Sequence, residues 1–237
     1  TLTKAVMRRI RDFIFTIPFL LAFVLTMIVF DVLLRIAFPF GRRAIDLCGR
    51  WLQLVLIACL RIPNIRLVID KSPKVKDGES YILVSNHQGI YDIPIFGYVF
   101  FRNFPKYISK LELARRIPAV SFYLRHGGHA LIDRKNRDSA LQEIQKLGAA
   151  MREFGCSAVI FAEGTRARHG ELGNFKPAGT VTLLTEVPTA RVVPVCLDNS
   201  WRIVRHNFWP VPYGIKIRVW VGDPIERTPG EDPYAVF

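Results

Sequence analysis

Hydrophobic and polar positions fall into two regimes along this chain, and the change between them comes near residue 62. From 13 to 30 nearly every position is apolar, and beyond Asp31 and Arg35 the apolar character continues to Phe40. The run is about long enough to cross a bilayer, although Pro18 lies inside it. Lys4, Arg8, Arg9 and Arg11 precede it; Arg42, Arg43 and Arg50 follow. A single span would leave one of these basic clusters on the wrong side of the membrane. A second apolar piece, 51–60, is too short to cross comfortably. The pattern favours two helices that dip into or lie along one leaflet, with both basic flanks at the cytoplasmic headgroups. One or two ordinary spans is the alternative. A signal peptide fits less well, because no small-residue cleavage site follows the run.

Ile62-Pro63-Asn64 breaks the pattern and divides a helical element, 1–62, from a second domain, 63–237. Beyond the break, short apolar runs are bounded by turn residues. Those at 65–69, 81–84, 130–132, 158–161 and 192–197 read as strands. Leu141, Ile144, Leu147, Met151 and Phe154 recur at spacings of three or four, between a cap at Asp138 or Ser139 and Gly155. This predicts a crossover helix feeding the strand at 158–161, a βαβ sign. Residues 110–114 start a short helix that Pro118 ends, and 180–186 form another. Residues 203–211 and 215–221 predict a hairpin around Pro212-Tyr213-Gly214. Alternation of strands and helices gives the fold class: α/β, a mixed, largely parallel sheet flanked by helices, with an N-terminal two-helix membrane-associated element.

At 237 residues the chain can bury one sizeable core. Its residues are 50% hydrophobic and its mean hydropathy is +0.21, with the excess concentrated near the N-terminus. The net charge of +13 implies an anionic partner: nucleic acid, an anionic membrane surface, a phosphate substrate or an acidic carrier protein. No basic stripe with stacking aromatics and no zinc or helix-turn-helix signature is evident, so nucleic acid is not expected. Cys48, Cys59, Cys156 and Cys196 contain no CxxC pair, which argues against zinc and against a disulfide framework. Trp201, Trp209 and Trp220 either seat the domain at a bilayer interface or pack.

Candidate chemistry begins at Val84-Ser85-Asn86-His87-Gln88-Gly89-Ile90-Tyr91-Asp92. On one regular helix His87 and Asp92 would lie roughly 140° apart and could not meet. A turn solves this, with His87 at the end of a strand and Asp92 in the first helical turn beyond Gly89. The carboxylate then holds one imidazole nitrogen and leaves the other free to take a proton, as in a triad without its nucleophile. Such a pair suits activation of a substrate hydroxyl; a loop histidine beside an unrelated aspartate is the bland alternative. A second block, Phe161-Ala162-Glu163-Gly164-Thr165-Arg166, also follows a strand.

Together these blocks resemble the glycerolipid acyltransferase family, the superfamily of lysophosphatidic acid acyltransferases. Stretches 110–134 and 193–195 resemble that family's other two blocks, in the right order. The resemblance covers roughly 65–225, and it implies catalysis by His87 and Asp92. It further implies substrate binding by Lys110, Arg134, Glu163, Gly164, Thr165 and Arg166, with Glu163 and Arg166 at a glycerol-phosphate head. Arginine would grip the phosphate as a bidentate fork and lysine as a point charge. Glu163 is expected to orient Arg166 or a substrate hydroxyl rather than act as a second base. Val193-Pro194-Val195 matches a block associated with the wall of the acyl-donor site, and the aromatic stretch 96–107 is either core or the border of an acyl-chain channel. Phe175-Lys176-Pro177-Ala178-Gly179 departs from the commoner family pattern, which leaves the role of Lys176 open.

The implied activity is acyl transfer from acyl-CoA or acyl carrier protein to a lysophospholipid acceptor, the sn-2 hydroxyl of 1-acyl-glycerol 3-phosphate first among them. No bound cofactor and no metal is expected. Two rivals remain: an acyltransferase for glycerol 3-phosphate or another lysolipid, and a non-catalytic protein binding anionic lipid. The location expected is the cytoplasmic face of a membrane, the inner one in a bacterium.

Overall fold

A computed structural model describes residues 2–167 and 169–235. The apolar N-terminus forms one continuous helix, α1 (Leu2–Ala37), with Pro18 inside it, and a short turn leads into α2 (Arg42–Cys59). One stripe of α1, including Phe19, Met27, Phe30 and Leu34, is buried. The opposite stripe, Ile10, Ile14, Ile17, Leu21, Val24, Leu25, Ile28, Val32 and Ile36, is exposed along the helix. Alpha-helical periodicity therefore divides a uniformly apolar sequence into a packed face and a bare one.

Beyond Pro63 the chain builds a seven-stranded sheet in the order β1-β7-β6-β2-β5-β3-β4. Its strands are β1 (Arg66–Lys71), β2 (Tyr81–Ser85), β3 (Lys106–Lys110), β4 (Ala130–Ile132), β5 (Ala158–Phe161), β6 (Arg191–Asp198) and β7 (Lys216–Val221). Strands β6, β2, β5, β3 and β4 run parallel; β7 runs antiparallel to β6 and parallel to β1. The mixed, largely parallel sheet is as expected.

Side chains alternate across the sheet, and each face has its own core. Leu83, Val193, Val195, Ile217 and Val219 join Phe19, Leu34, Leu52, Tyr91 and Phe96, so α1, α2 and α3 (Asp92–Val99) cover one face. Ile82, Ile160 and Val192 join Ile144, Leu147 and Leu183, so α5 (Arg137–Phe154) and α6 (Pro177–Glu186) cover the other. The first core runs without a break across residues 62 and 63.

The structure corrects several local readings. Residues 203–211 are not a strand: a 3-10 turn spans Ser200–Val204, and β7 pairs with β6 and β1 instead of forming a hairpin. The short helix expected from Lys110 is a 3-10 turn, Leu111–Ala114, and Lys110 itself ends β3, a strand hidden in an aromatic run. Helix α4 (Val120–His126) follows Pro118 and has no clear periodic signature. Helix α5 is capped by Asn136, whose side chain accepts from the Ser139 amide, and Phe154 faces solvent rather than the core. Gly155 ends that helix in the left-handed conformation, as expected (φ 64°). The chain predicts an exposed turn at Arg168, His169 and Gly170; Arg168 lies outside the described residues and His169 is exposed.

Candidate active site

Parallel strands present their carboxyl ends on one edge, and loops leaving that edge build sites in open α/β sheets. Here Ser85 of β2 is level with Phe161 of β5 and Val195 of β6. The loops after β2 and β5 carry His87 and Glu163–Arg166. Lys110 ends β3, and Arg134 stands two residues beyond the end of β4.

His87 and Asp92 meet. The imidazole Nδ1–H donates to Asp92 Oδ2 at 2.7 Å, with Asp92 fully buried and the His87 side chain 17% exposed. The same oxygen accepts the backbone N–H groups of Gln88 (2.6 Å) and Gly89 (2.9 Å), and Oδ1 accepts the Ser200 hydroxyl at 2.6 Å. Four donors hold this buried carboxylate in position. The ring of His87 stacks on Phe161, 4.1 Å between centroids. With Nδ1 bound to Asp92, Nε2 is free to take a proton, and among the described residues nothing engages it.

The loop is anchored from behind. Asn86 imitates a strand residue: its side-chain amide donates to the Leu197 carbonyl and its Oδ1 accepts the Leu197 N–H, both at 2.8 Å. Gln88 Oε1 accepts the Ser200 amide at 3.1 Å. Sequence reasoning did not single out Ser200, which lies more than a hundred positions from its partners.

Glu163 takes a different place from the one the resemblance implied. It is buried, and its carboxylate accepts the His87 amide on Oε1 and the Gly173 amide on Oε2, each at 2.8 Å. It orients the backbone that carries His87 rather than Arg166. Gly164 has φ +66°, a value that favours glycine, and the Lys176 side chain lies against it. Thr165 and Arg166 are exposed, and the next amide, of Ala167, donates to the His87 carbonyl at 2.7 Å. Arg166 thus stands one residue from a bond to the loop that carries His87, with no ion-pair partner among the described residues. Arg134 is close enough to feel it. Partial desolvation lowers the Arg134 guanidinium from its ordinary value, Glu112 opposes this, and the like charge of Arg166 adds to it. Two exposed guanidinium groups without an ion-pair partner among the described residues suit a dianionic phosphate. Lys110 is exposed at the same edge; Lys176, which the sequence left open, brings a further cation to the 163–166 turn.

An apolar cavity of about 280 Å³ lies under α6, lined among others by Val84, Leu172, Phe175, Leu184, Pro194 and Trp220. Ser85 and Asn86, just before His87, also line it. In the stretch 96–107, Phe96, Phe100 and Tyr107 are fully buried in the core, while Tyr98 and Phe104 are exposed. No group of three or more His, Cys, Asp or Glu residues has metal-holding geometry among the described residues.

Known proteins resemble this chain in fold and in sequence. A crystal structure of the 1-acyl-sn-glycerophosphate (LPA) acyltransferase PlsC from Thermotoga maritima superposes with a TM-score of 0.73 over 92% of this chain and 87% of that one, at 23% identity; this is a likeness of fold. The 1-acyl-sn-glycerol-3-phosphate acyltransferase of Borreliella burgdorferi is 30% identical over 151 residues, 62% of this chain and 58% of that protein. The Pseudomonas aeruginosa protein of that name is 25% identical over 210 residues, 84% and 74% of the two chains. An uncharacterised acyltransferase of Schizosaccharomyces pombe is 33% identical over 106 residues, covering 37% of its length, so several relatives are matched over less than two thirds of themselves. The model of the family described as Acyltransferase matches residues 66–198, more than half of the chain, and the chain belongs to that family.

Proposed function

We propose that this protein transfers a fatty acyl group from an acyl thioester to the sn-2 hydroxyl of 1-acyl-sn-glycerol 3-phosphate, forming phosphatidic acid. The observation that carries the reading is the His87–Asp92 pair, buried on the acid side and open at Nε2, beside Arg134 and Arg166. Nε2 removes the hydroxyl proton as the oxygen attacks the thioester carbonyl. Asp92 stabilises the imidazolium. As the tetrahedral intermediate collapses, the C–O bond remains, the C–S bond breaks, and the imidazolium returns its proton to the departing thiolate of coenzyme A or acyl carrier protein. Ser85, the nearest hydroxyl in sequence, is buried and donates to the Asn86 carbonyl, so direct transfer fits better than an acyl-enzyme.

The phosphate of the acceptor is assigned to Arg166 and Arg134, with Lys110 and Lys176 adding positive charge. The relatives named 1-acyl-sn-glycerol-3-phosphate acyltransferase support this acceptor. The cavity under α6, with Pro194 in its wall, is apolar enough for part of an acyl chain. The bare stripe of α1 supports contact with lipid from one leaflet, since the opposite stripe is already committed to the domain.

Thiol release from a long-chain acyl thioester, with lysophosphatidic acid present or absent, tests the reading. Release should depend on the acceptor and fall on the order of a hundredfold or more in His87→Ala. An acceptor panel containing glycerol 3-phosphate and other lysolipids separates the related acyltransferases. Liposome binding without thioester consumption on any acceptor would leave only lipid binding.

A further inference from the structure

A second concave site lies on the same sheet edge, and His87 is not among its lining residues. The first turns of α1, the 199–202 turn, the 212–215 loop and the start of β7 enclose a polar cleft of about 580 Å³. Arg8, Arg11, Arg202, Lys216 and Arg218 line it, with Asp12 as its one carboxylate. We infer that this cleft binds phosphate ester groups presented at the membrane surface.

The charge in the cleft is unbalanced. Asp12 is already engaged: its Oδ1 accepts the Tyr213 amide at 3.0 Å and lies 3.6 Å from Arg11. The Arg11 guanidinium also stacks over the Tyr213 ring, 4.4 Å from its centroid, which fixes that cation at the cleft wall. Arg8, Arg202, Lys216 and Arg218 have no ion-pair partner among the described residues. Asp198 stands opposite Arg218 across the β6–β7 pair, but its carboxylate accepts from Asn199 and makes no ion pair with Arg218. Five cations from three separate segments are thus held in a concavity against one spoken-for acid. Like charges gathered in this way repel one another unless an anion joins them.

Chemistry and position narrow the anion. Four of the five cations are guanidinium groups, whose fork matches pairs of phosphate oxygens. Beside the cleft, α1 exposes Val6, Met7, Ile10 and Ile14. A helix lying with that face in the acyl region sets its adjacent cations at headgroup depth. Two sources can supply a phosphate ester there: the headgroup of an anionic phospholipid, and the phosphates of coenzyme A. Asn199 and Arg202 line the cleft, and Ser200 between them bonds Asp92, so a ligand seated here adjoins the support of the catalytic pair.

The test uses the full chain in neutral detergent, comparing wild type with Arg202→Gln/Arg218→Gln. Both side chains line the cleft and neither makes an ion pair, so the fold should hold, which thermal unfolding checks. One arm titrates free coenzyme A by calorimetry. The other measures flotation with phosphatidylcholine vesicles, with and without phosphatidylglycerol. The double variant should lose about tenfold in affinity in at least one arm, the equivalent of about 1.4 kcal/mol. Loss with coenzyme A assigns the donor's phosphates; loss with phosphatidylglycerol vesicles alone assigns the lipid. Unchanged binding in both arms overturns the inference. So does an equal loss in Lys74→Gln/Lys146→Gln, which removes the same charge from exposed sites elsewhere. Neither arm requires turnover, so an inactive protein that binds would sink the proposed reaction and leave the cleft standing.

Discussion

Asp92 makes more bonds than a histidine orienter needs. One carboxylate holds the imidazole, two amides of the loop and the hydroxyl of Ser200. Ser200 therefore belongs to the positioning of the pair, and Ser200→Ala should lower kcat about tenfold with KM little changed. Ser200→Thr should recover most of the loss; steady-state kinetics of the three proteins checks this. The estimate follows from removing one charge-assisted hydrogen bond of about 1.5–3 kcal/mol, part of which water replaces. The pairing of His87 with Asp92 was legible because its motif is short and local in sequence. Ser200 was not, since its contact is made by the fold. The partners of Glu163 were not legible either, since the amides of His87 and Gly173 reach it through the fold.

Elements with a strong period of their own were readable, and α5 came out within two or three residues of its observed start and at its observed end. Those defined by distant partners were not. Strand β3 lies inside an aromatic run, and the supposed hairpin failed because β7 pairs with β1, about 150 positions earlier in the chain. The long helix was readable as apolar but not as two-faced, because nothing in a run of Ile, Leu, Val and Phe says which side will meet protein. Its bare stripe makes a prediction. Replacing Ile14, Leu21 and Ile28 together by Asn, all exposed, should leave the fold intact and weaken vesicle binding at least tenfold. Each such side chain is worth about 1.5–3 kcal/mol when fully removed from water. Flotation together with a thermal unfolding midpoint separates lost membrane contact from lost structure.

At the scale of the molecule, a buried polar seam joins the N-terminal helices to the sheet. The Lys106 ammonium pairs with Asp46 of α2; Gln53 of α2 accepts the Tyr107 hydroxyl at 2.7 Å; and His129 Nδ1 accepts the Tyr107 amide at 3.1 Å. Burial, then the cations Lys106 and Arg42, hold His129 well below the ordinary histidine range. It is neutral in the fold, while the unfolded chain takes up its proton below a pH of about 6.5. The unfolded state then binds more protons, so stability falls as pH drops from about 6.5 towards the depressed native value. One such group gives a slope of up to about 1.4 kcal/mol per pH unit. The unfolding midpoint should be lower at pH 5.5 than at pH 7.5, and His129→Asn, which keeps an acceptor for the Tyr107 amide, should flatten the difference.

The wall that α1 and α2 make against the sheet precedes every strand in the chain, so it leaves the ribosome before them. Phe19, Leu34 and Leu52 are in place before Tyr81, Phe96 and Val193 have been synthesised, and those later residues close on them. The sheet is thereby assembled against a surface already synthesised. Cutting away the greasy beginning to obtain a water-soluble catalyst would uncover the inner flank of the sheet, and aggregation is the outcome to expect from such a trimmed protein.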